Sequence, residues 1–461
     1  MIQIHYAIYQ NRKKYKMKES LYNIKCRNEN GELLIYNSLN EKIVKINSKD
    51  ANEVEKAMSD SDLIDGLNSF YLSELTKYNM LVENNSDEIY IANKRYLQMA
   101  FGGEVLDITI IPTVDCNFGC VYCYEKHEKK YMNKDTISNI IKYFKKNMRF
   151  YKKIIISWFG GEPLLATNII IDIMKELSHL SKKYGTVIVS MITTNGYNLT
   201  ADTVKALYDV GVRNYQITVD GTDNIHNKQR PLSDGGKTFD IIFNNLRNIR
   251  DKCKDVRYSI ALRINISREI DNVRHEFLSL FKNEFGDDKH FSLMFEWIRN
   301  WSGSSDDIAT TADICYPWLN EAVSMGIQCY EILSNSCGLY FCEACKKNGY
   351  IIQYDGTVHK CTLAIENMDY KNVNCIGRID SLGNMQIDEK KECRWILNKS
   401  IRSECELCKY FPMCMGINCP WATQIRNERI CLPHKNLFKN YILAKDKLGK
   451  SIMLEGKNDR E

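Results

Sequence analysis

Between residue 106 and about residue 305 the sequence alternates six apolar, strand-like runs with segments that have the spacing of amphipathic helices. The strand-like runs are LDITIIPT, KIIISWFGG, TVIVSMITTNG, RNYQITVDG, YSIALRINIS and FSLMFEWIRNW. Strands that alternate with helices predict a parallel sheet, either open or curled into a barrel. Ligands of such folds bind at the carboxyl ends of the strands. The polar, glycine-containing segments of the sequence lie at those ends, which predicts one shared site.

A smaller unit precedes this region. In residues 1–100, YNIKCRNENGELLIYNSLNEKIVKI predicts short strands around an Asn-Gly turn. DANEVEKAM and FYLSELTKYNMLV then predict amphipathic helices, and EIYIA predicts a closing strand. This order indicates a winged-helix-like α+β module.

The region from 337 to 433 is dense in cysteine and weakly periodic. Within it, YIIQYDGTVHKC contains an Asp-Gly pair and predicts a hairpin. After about residue 435 we expect a helix and then a charged, frayed end.

Composition limits the function classes. A net charge of +5 is small for 461 residues, so nucleic acid is not expected as a partner. No apolar stretch reaches membrane-spanning length and the amino terminus lacks a signal-peptide pattern, so we expect a cytoplasmic protein that does not bind membranes. Without a secretion signal, the 18 cysteines favour metal binding over a disulfide framework.

The first cysteine cluster follows the first strand-like run. Cys116, Cys120 and Cys123 lie in one short loop with the spacing Cys-x3-Cys-x2-Cys. Three thiolates can hold three irons of a [4Fe–4S] cluster, which leaves the fourth iron open to a small molecule. The alternatives are a zinc loop or core thiols, but zinc sites normally take four protein ligands, or three with histidines.

With Tyr122 before the third cysteine, this loop resembles the signature of radical S-adenosylmethionine (SAM) enzymes. The resemblance implies a partial barrel in which the open iron chelates the amino and carboxylate groups of SAM. One electron from the cluster would split the sulfonium, and the resulting 5′-deoxyadenosyl radical would take a hydrogen atom from the substrate.

The segment GGEP, at the end of the second strand-like run, is similar to the motif with which that family binds the amino group of the methionine part of SAM. Glycines let backbone carbonyls approach a ligand closely, and Glu162 would hold the amine or the loop around it. The resemblance implies these cofactor-binding residues: Tyr122, Gly160, Gly161, Glu162, Thr194, Asn195, Asp220, Arg263 and Asn265. An ordinary role as a polar strand-end residue stays open for each of the last five. His226 and Arg230 lie in DGTDNIHNKQR, which also resembles a family subgroup, and have no assigned role.

The later cysteines are similar in spacing to the SPASM domain, an extension of certain radical SAM enzymes that carries two auxiliary [4Fe–4S] clusters. If ligands are assigned by the order of the cysteines in the SPASM pattern, the resemblance implies that Cys345, Cys361 and Cys419 bind one cluster. Cys405, Cys408, Cys414 and Cys431 would then bind the other. For the first cluster, Cys342 or Cys337 is the candidate fourth ligand, or its iron is open to a substrate thiolate. The last spacing is x4 where the family usually has x3. Two structural zinc sites are the rival interpretation.

The resemblance implies a maturase of ribosomally made peptides, with SAM, three [4Fe–4S] clusters, a precursor peptide bearing a leader, and an electron donor such as flavodoxin or ferredoxin. We predict a crosslink, a thioether from a cysteine sulfur to a carbon. Alternatives are a carbon–carbon link, sulfatase maturation to formylglycine, or a non-catalytic iron–sulfur carrier or peptide scaffold. The candidate general bases are Asp220, Glu296 and Asp355.

Four segments follow from this interpretation. Residues 1–100 would bind the leader as an added strand, residues 101–310 would form the radical SAM partial barrel, residues 311–435 would hold a bridging region and the SPASM domain, and residues 436–461 would form a carboxy-terminal helix and tail.

Overall fold

The computed structural model describes residues 16–300, 308–330, 342–365, 372–397, 403–416, 419–425 and 431–454. Its amino-terminal elements, in chain order, are β1 (Met17–Glu19), β2 (Asn23–Arg27), β3 (Leu33–Asn37), β4 (Ile43–Ile46), α1 (Ala51–Met58), α2 (Ser61–Ile64), α3 (Ser69–Lys77), β5 (Leu81–Glu83) and α4 (Glu88–Phe101). Strands β2, β3 and β4 form an antiparallel meander. The predicted turn is confirmed, because Gly31 has a φ of 76° between β2 and β3.

The prediction of a closing strand at EIYIA is wrong, since this stretch begins α4. Asp87 accepts a hydrogen bond from the backbone N–H of Tyr90 and caps the helix. Ala92, Tyr96 and Ala100 are buried at a spacing of four residues, which fits a helix and not a strand. The closing strand is instead β5, which the sequence pattern assigned to the preceding helix.

The alternating region contains β6 (Val105–Ile110), α5 (Lys134–Asn147), β7 (Lys153–Trp158), α6 (Thr167–Tyr184), β8 (Val187–Thr194), α7 (Ala201–Asp209), β9 (Val212–Thr218), α8 (Asp223–Gln229), α9 (Phe239–Lys252), β10 (Ser259–Ile266), α10 (Arg268–Asp271), α11 (Arg274–Phe285) and β11 (Phe291–Trp297). The six strands pair in parallel in chain order, β6 to β11. The predicted partial (β/α)6 barrel is confirmed.

The cysteine-rich region extends this same sheet. It contains α12 (Cys315–Ser324), β12 (Gly349–Ile352), β13 (Thr357–His359), β14 (Cys375–Ile379), β15 (Met385–Ile387), α13 (Glu389–Leu397), α14 (Ser403–Glu406), α15 (Phe411–Cys414) and α16 (Pro420–Ile425). Strand β12 pairs in parallel with β6, and β12 to β15 form an antiparallel meander beyond it. The predicted Asp-Gly hairpin is confirmed, with Gly356 at a φ of 80°.

The last elements are α17 (Phe438–Lys447) and β16 (Ile452–Leu454). The expected frayed end is wrong for β16, which pairs in parallel with β4. The predicted helix is present, and the Phe438 ring lies 5.2 Å from the Tyr36 ring of β3. One face of the amino-terminal sheet therefore packs on α17, and its other face packs on α1, α2 and α3. Within the described ranges no helix is long and apolar enough to cross a membrane.

Candidate active site at the carboxyl ends of the barrel strands

A cavity of about 430 Å³ opens at the carboxyl ends of the barrel strands. It is lined by residues from the cysteine loop, from the GGEP loop, from four strands and from the segment after Cys361. The lining includes Cys116, Cys120, Cys123, Tyr122, Gly160, Gly161, Thr194, Asn195, Arg263 and Asn265. These ten were all singled out from the sequence, and the fold brings them to one place.

The cysteine loop is fixed by backbone hydrogen bonds to the segment that follows β9. The N–H of Gly119 donates to the carbonyl of Pro231 at 2.9 Å, and the N–H of Val121 donates to the carbonyl of Gln229 at 3.0 Å. Burial raises the pKa of the Cys116 and Cys123 thiols to about 12. A bound cation is therefore needed to favour their thiolate forms at neutral pH.

The donor set fits an iron–sulfur cluster. Three cysteine sulfurs line one cavity, although within the described ranges no three His, Cys, Asp or Glu side chains converge as ligands of a single ion. A cluster does not require such convergence, because each thiolate binds a different iron. His127 also lies here, with Nε2 3.5 Å from the Cys123 sulfur and Nδ1 3.3 Å from the carbonyl of Val114. His127 was not predicted from the sequence, although it follows Cys123 by only four residues.

Glu162 joins the loops after β7 and β8. Its side chain is buried and accepts hydrogen bonds from the N–H of Leu164 at 2.9 Å, the hydroxyl of Thr194 at 2.7 Å and the N–H of Asn195 at 2.7 Å. Burial raises the pKa of this carboxyl, and the three donors oppose the rise. Glu162 thus holds the loop in shape, while the backbone of Gly160 and Gly161 faces the cavity.

Gly160 and Gly161 let the GGEP loop pass directly against the start of the cysteine loop. A Cβ on Gly160 would lie 2.3 Å from the carbonyl oxygen of Thr113, and Gly160 has a φ of 117°. A Cβ on Gly161 would lie 2.3 Å from the carbonyl oxygen of Asp115. Only glycine fits this approach without a shift of the backbone.

A second network lies behind the cysteine loop. The hydroxyl of Tyr122 donates to the buried carboxylate of Asp220 and accepts from Arg230 at 2.7 Å and from the Asn265 side chain at 3.0 Å. Asp220 also accepts from the N–H of Asn265 at 2.8 Å, and Arg230 is 4.0 Å from it. The backbone N–H of Asp220 donates a hydrogen bond to Nδ1 of His226 at 3.1 Å. Asp220 is fully buried, so in this structure it fixes Tyr122 and β10 and does not face the cavity.

The other two candidate bases are placed differently. Glu296 is on β11, 3.7 Å from Arg299, and its register partner on β10 is Asn265. Asp355 is exposed in the β12–β13 turn, where it accepts hydrogen bonds from the N–H and hydroxyl of Thr357. Neither lines the cavity. The assignment of a general base stays a prediction.

The end of β11 adds a cationic, aromatic wall that was not predicted from the sequence. Trp297 and Arg299 line the cavity, and the Arg299 guanidinium lies 3.8 Å from the centroid of the Trp297 ring. The Trp297 ring also packs perpendicular to the His434 ring, with the two centroids 5.0 Å apart, and Nδ1 of His434 is 2.9 Å from the hydroxyl of Tyr441 on α17. Both residues lie in the sequence segment FEWIRNW, but they belong to no motif with a recognisable spacing.

The carboxy-terminal cysteines lie in two neighbourhoods. Burial raises the pKa of Cys342, and the nearby charges of Cys345 and Cys361 add to the rise. Burial also raises the pKa of Cys345, and the nearby charge of Cys419 adds to it. Burial raises the pKa of Cys414, and the nearby charges of Cys405, Cys408 and Cys431 add to the rise. Cys337 lies outside the described residues. The assignment of these cysteines to clusters stays a prediction.

The comparison with known families decides what the first loop belongs to. The model of the Radical SAM superfamily matches residues 110–275, which hold the cysteine loop and four of the six strands, β7 to β10. The chain contains a radical SAM domain. The domain implies SAM and one [4Fe–4S] cluster, and the cavity residues described above fit both.

Proteins similar in sequence to this chain include a cysteine-type anaerobic sulfatase-maturating enzyme from Clostridium novyi (strain NT), which is 24% identical over 338 residues, or 65% of this chain and 84% of that protein. A GTP 3′,8-cyclase from Campylobacter jejuni is 32% identical over 139 residues, or 29% of this chain and 40% of the cyclase. The solved structure of native anSMEcpe with bound AdoMet and Cp18Cys peptide has a TM-score of 0.55 at 16% identity, over 75% of this chain and 98% of that one. The last similarity is one of fold.

Proposed function

We propose that this radical SAM protein is a peptide maturase that forms a crosslink, a thioether between a cysteine sulfur and a carbon. The observation that carries the proposal is the make-up of the cavity wall. Thr362 and Leu363, which directly follow Cys361, line the same cavity as Cys116, Cys120 and Cys123. A substrate in this cavity would lie between the radical SAM thiols and a cysteine of the carboxy-terminal region.

The chain's own residues would hold the cofactors. Cys116, Cys120 and Cys123 would bind three irons of the cluster and leave the fourth for SAM. When bound, the cluster and SAM would supply the carbon radical that takes a hydrogen atom from the substrate. The guanidinium of Arg263 and the amide of Asn265 face the same cavity and would donate hydrogen bonds to the carboxylate and hydroxyls of SAM.

Two auxiliary [4Fe–4S] clusters would be held by the carboxy-terminal cysteines in the two predicted sets. Making a C–S bond from a C–H and an S–H group removes two hydrogens, of which one leaves as the abstracted atom. The second leaves as a proton and an electron, and the chemistry that an auxiliary cluster would supply is acceptance of this electron. A flavodoxin or ferredoxin would be the electron donor for the radical SAM cluster.

Residues 1–100 would bind the leader of the precursor peptide. This module has a small antiparallel sheet with helices on one face, and a sheet edge can accept an extended peptide as a further strand. The structure of anSMEcpe supports a peptide substrate, since it holds AdoMet and a peptide on a similar fold.

Oxidation of a cysteine or serine to formylglycine is the second candidate. The sulfatase-maturating relative favours it, because the match covers 84% of that enzyme. The amino-terminal module favours peptide crosslinking over this reaction, as a further unit that would recognise a leader.

The test is anaerobic co-expression with a short peptide encoded beside this protein, followed by mass spectrometry before and after thiol alkylation. A thioether removes the mass of two hydrogens per link and one alkylatable cysteine. The same mass loss with all thiols free would indicate a carbon–carbon link, and loss of a cysteine sulfur would indicate formylglycine. An unmodified peptide beside a protein that cleaves SAM would contradict the choice of peptide. The matched control is the variant in which Cys116, Cys120 and Cys123 are Ala.

A further inference from the structure

The outer edge of β4 is covered by a strand from the far end of the chain. Ile452–Leu454 pairs in parallel with β4, and the sheet order is β16-β4-β3-β2. In the described part of the chain, β16 is therefore the edge strand of the amino-terminal sheet. This edge belongs to the same module that would recognise a leader.

The side chains of β16 show which peptide pattern this edge accepts. Leu454 is opposite Ile46 and is only 2% exposed, within the core that α1, α2 and α3 form with the sheet. Ile452 is opposite Val44 and packs against the same core, whereas Met453 between them is 39% exposed. The edge therefore binds an extended segment with two apolar residues separated by one residue.

The anchor of this segment lies before the strand. Asp446 on α17 is 3.1 Å from the Lys45 Nζ and 3.2 Å from the Asn28 side-chain nitrogen. Gly449, with a φ of 69°, then turns the chain toward the edge. Because α17 is held independently, the three-residue strand can leave the edge without release of the helix.

The opposite edge of the sheet is placed differently. Strand β2 packs against α17, and the Cys26 sulfur is 3.9 Å from the carbonyl of Lys439. The edge of β4 is bounded instead by a segment of only three residues. Main-chain pairing at such an edge gives affinity, and pockets for alternate side chains give specificity.

We infer that the edge of β4 is an exchangeable strand-binding surface. Its partner is an extended peptide with the pattern apolar-x-apolar, and Ile452–Leu454 is an internal occupant that this peptide displaces. The inference rests on the proposed function only for the identity of the natural peptide, which would be the leader. An incoming strand and β16 would compete for the same backbone groups of β4.

The direct test needs no precursor peptide. The probe is a fluorescein-labelled synthetic peptide with the sequence of residues 448–461, and binding is followed by fluorescence anisotropy. A variant that lacks residues 450–461 keeps α17 and vacates the edge. We expect the probe to bind this variant at least 10-fold more tightly than the full chain, where the site is occupied. A folded truncated variant that does not bind the probe, or equal binding to both proteins, would overturn the inference.

Matched substitutions separate the pocket from general strand propensity. Leu454→Asn in the probe should weaken binding at least 10-fold, whereas Met453→Asn should leave it within about 2-fold, because Leu454 enters the core and Met453 does not. In the full chain, Leu454→Asn should admit the unmodified probe and Met453→Asn should not. These two full-chain variants test displacement even if the truncated protein fails to fold. Equal probe binding by the two variants would refute displacement.

The outcome is independent of the crosslinking assay. Probe exchange with no modification of any peptide would leave the strand-binding surface standing and count against the maturase. Peptide crosslinking without probe exchange would support the maturase and reject this surface.

Discussion

The carboxylate of Glu162 accepts a hydrogen bond of 2.7 Å from the hydroxyl of Thr194. The two residues follow β7 and end β8, so this contact joins the ends of neighbouring barrel strands. The same carboxylate also binds the N–H of Asn195, which lines the cavity. The shape of the candidate SAM site thus depends on a buried acid that is itself turned away from the cavity.

Glu162→Gln tests this role. The amide places an NH2 group among three hydrogen-bond donors, so at least one of them loses its acceptor. We expect the unfolding free energy to fall by about 1–3 kcal/mol and SAM affinity to fall about 10-fold. Urea unfolding and equilibrium dialysis of the reconstituted protein measure the two effects. The control is Glu104→Gln at an exposed glutamate, and equal effects of the two substitutions would contradict the role.

Gly161→Ala tests the close approach of the GGEP and cysteine loops. The new Cβ would lie 2.3 Å from the carbonyl oxygen of Asp115, so one of the two backbones must move. We expect a loss of roughly a third of the bound iron, the share of one cluster out of three. Gly103→Ala is the control, because no atom lies within 4 Å of its added Cβ. Full iron content and unchanged SAM binding in Gly161→Ala would show that the loop tolerates the shift.

Replacement of Cys116, Cys120 and Cys123 by Ala tests the assignment of the first cluster. We expect SAM cleavage to be abolished while roughly two-thirds of the iron remains. Iron analysis and chromatography of the SAM products measure this outcome. Cys393→Ala, at an exposed cysteine outside the predicted ligands, should change neither quantity. Full iron with retained cleavage would refute the assignment.

His434 gives a prediction about pH. Burial, and then the charge of Arg299, lowers the pKa of His434 to about 4 from an ordinary value near 6.5. The folded protein holds this histidine neutral. The unfolding free energy therefore begins to decrease as the pH falls below about 6.5, and it decreases further until the pH reaches the folded pKa. Between pH 6.5 and pH 5 we expect a loss of about 2 kcal/mol from this group.

Urea unfolding of wild type and His434→Gln at pH 7.5, 6.5 and 5 measures this contribution. The variant should lack the part of the acid destabilisation that His434 causes, so its curve against pH should be flatter by about 2 kcal/mol. His179→Gln, at an exposed histidine, should follow the wild type. Parallel curves for wild type and His434→Gln would contradict the prediction.

Local pattern was sufficient for the barrel and for much of its site. The run KIIIS followed by Gly160 and Gly161 predicts both a buried strand and a turn, and parallel strands bring such turns to one edge. Cys116, Thr194 and Arg263 could therefore be placed at a shared cavity before any contact was known. Their roles depend on the chemistry of a cofactor, which the resemblance supplied.

Long-range contacts explain the rest. The β-branched residues of EIYIA suggest a strand, but the cap at Asp87 and the buried face of Tyr96 and Ala100 select a helix. Trp297 and Arg299 lie in the predicted strand-like run FSLMFEWIRNW and belong to no motif, and only the packing of Trp297 against His434 shows where they lie. The pairing of the strand that contains Leu454 could not be predicted either, since its partner strand β4 is separated from it by almost the whole sequence.

The pairing of β16 with β4 also bears on how this protein is made. Leu454 completes a hydrophobic core whose other buried members all lie within the first hundred residues. About 400 residues must be translated between Ile46 and Leu454, which takes roughly 20–80 s at about 5–20 residues per second. During that interval the nascent module has an unpaired edge and an open core, so it is exposed to chaperones and to any extended peptide nearby. The amino-terminal module thus leaves the ribosome before the barrel does, and its sheet is completed only after the barrel has been translated.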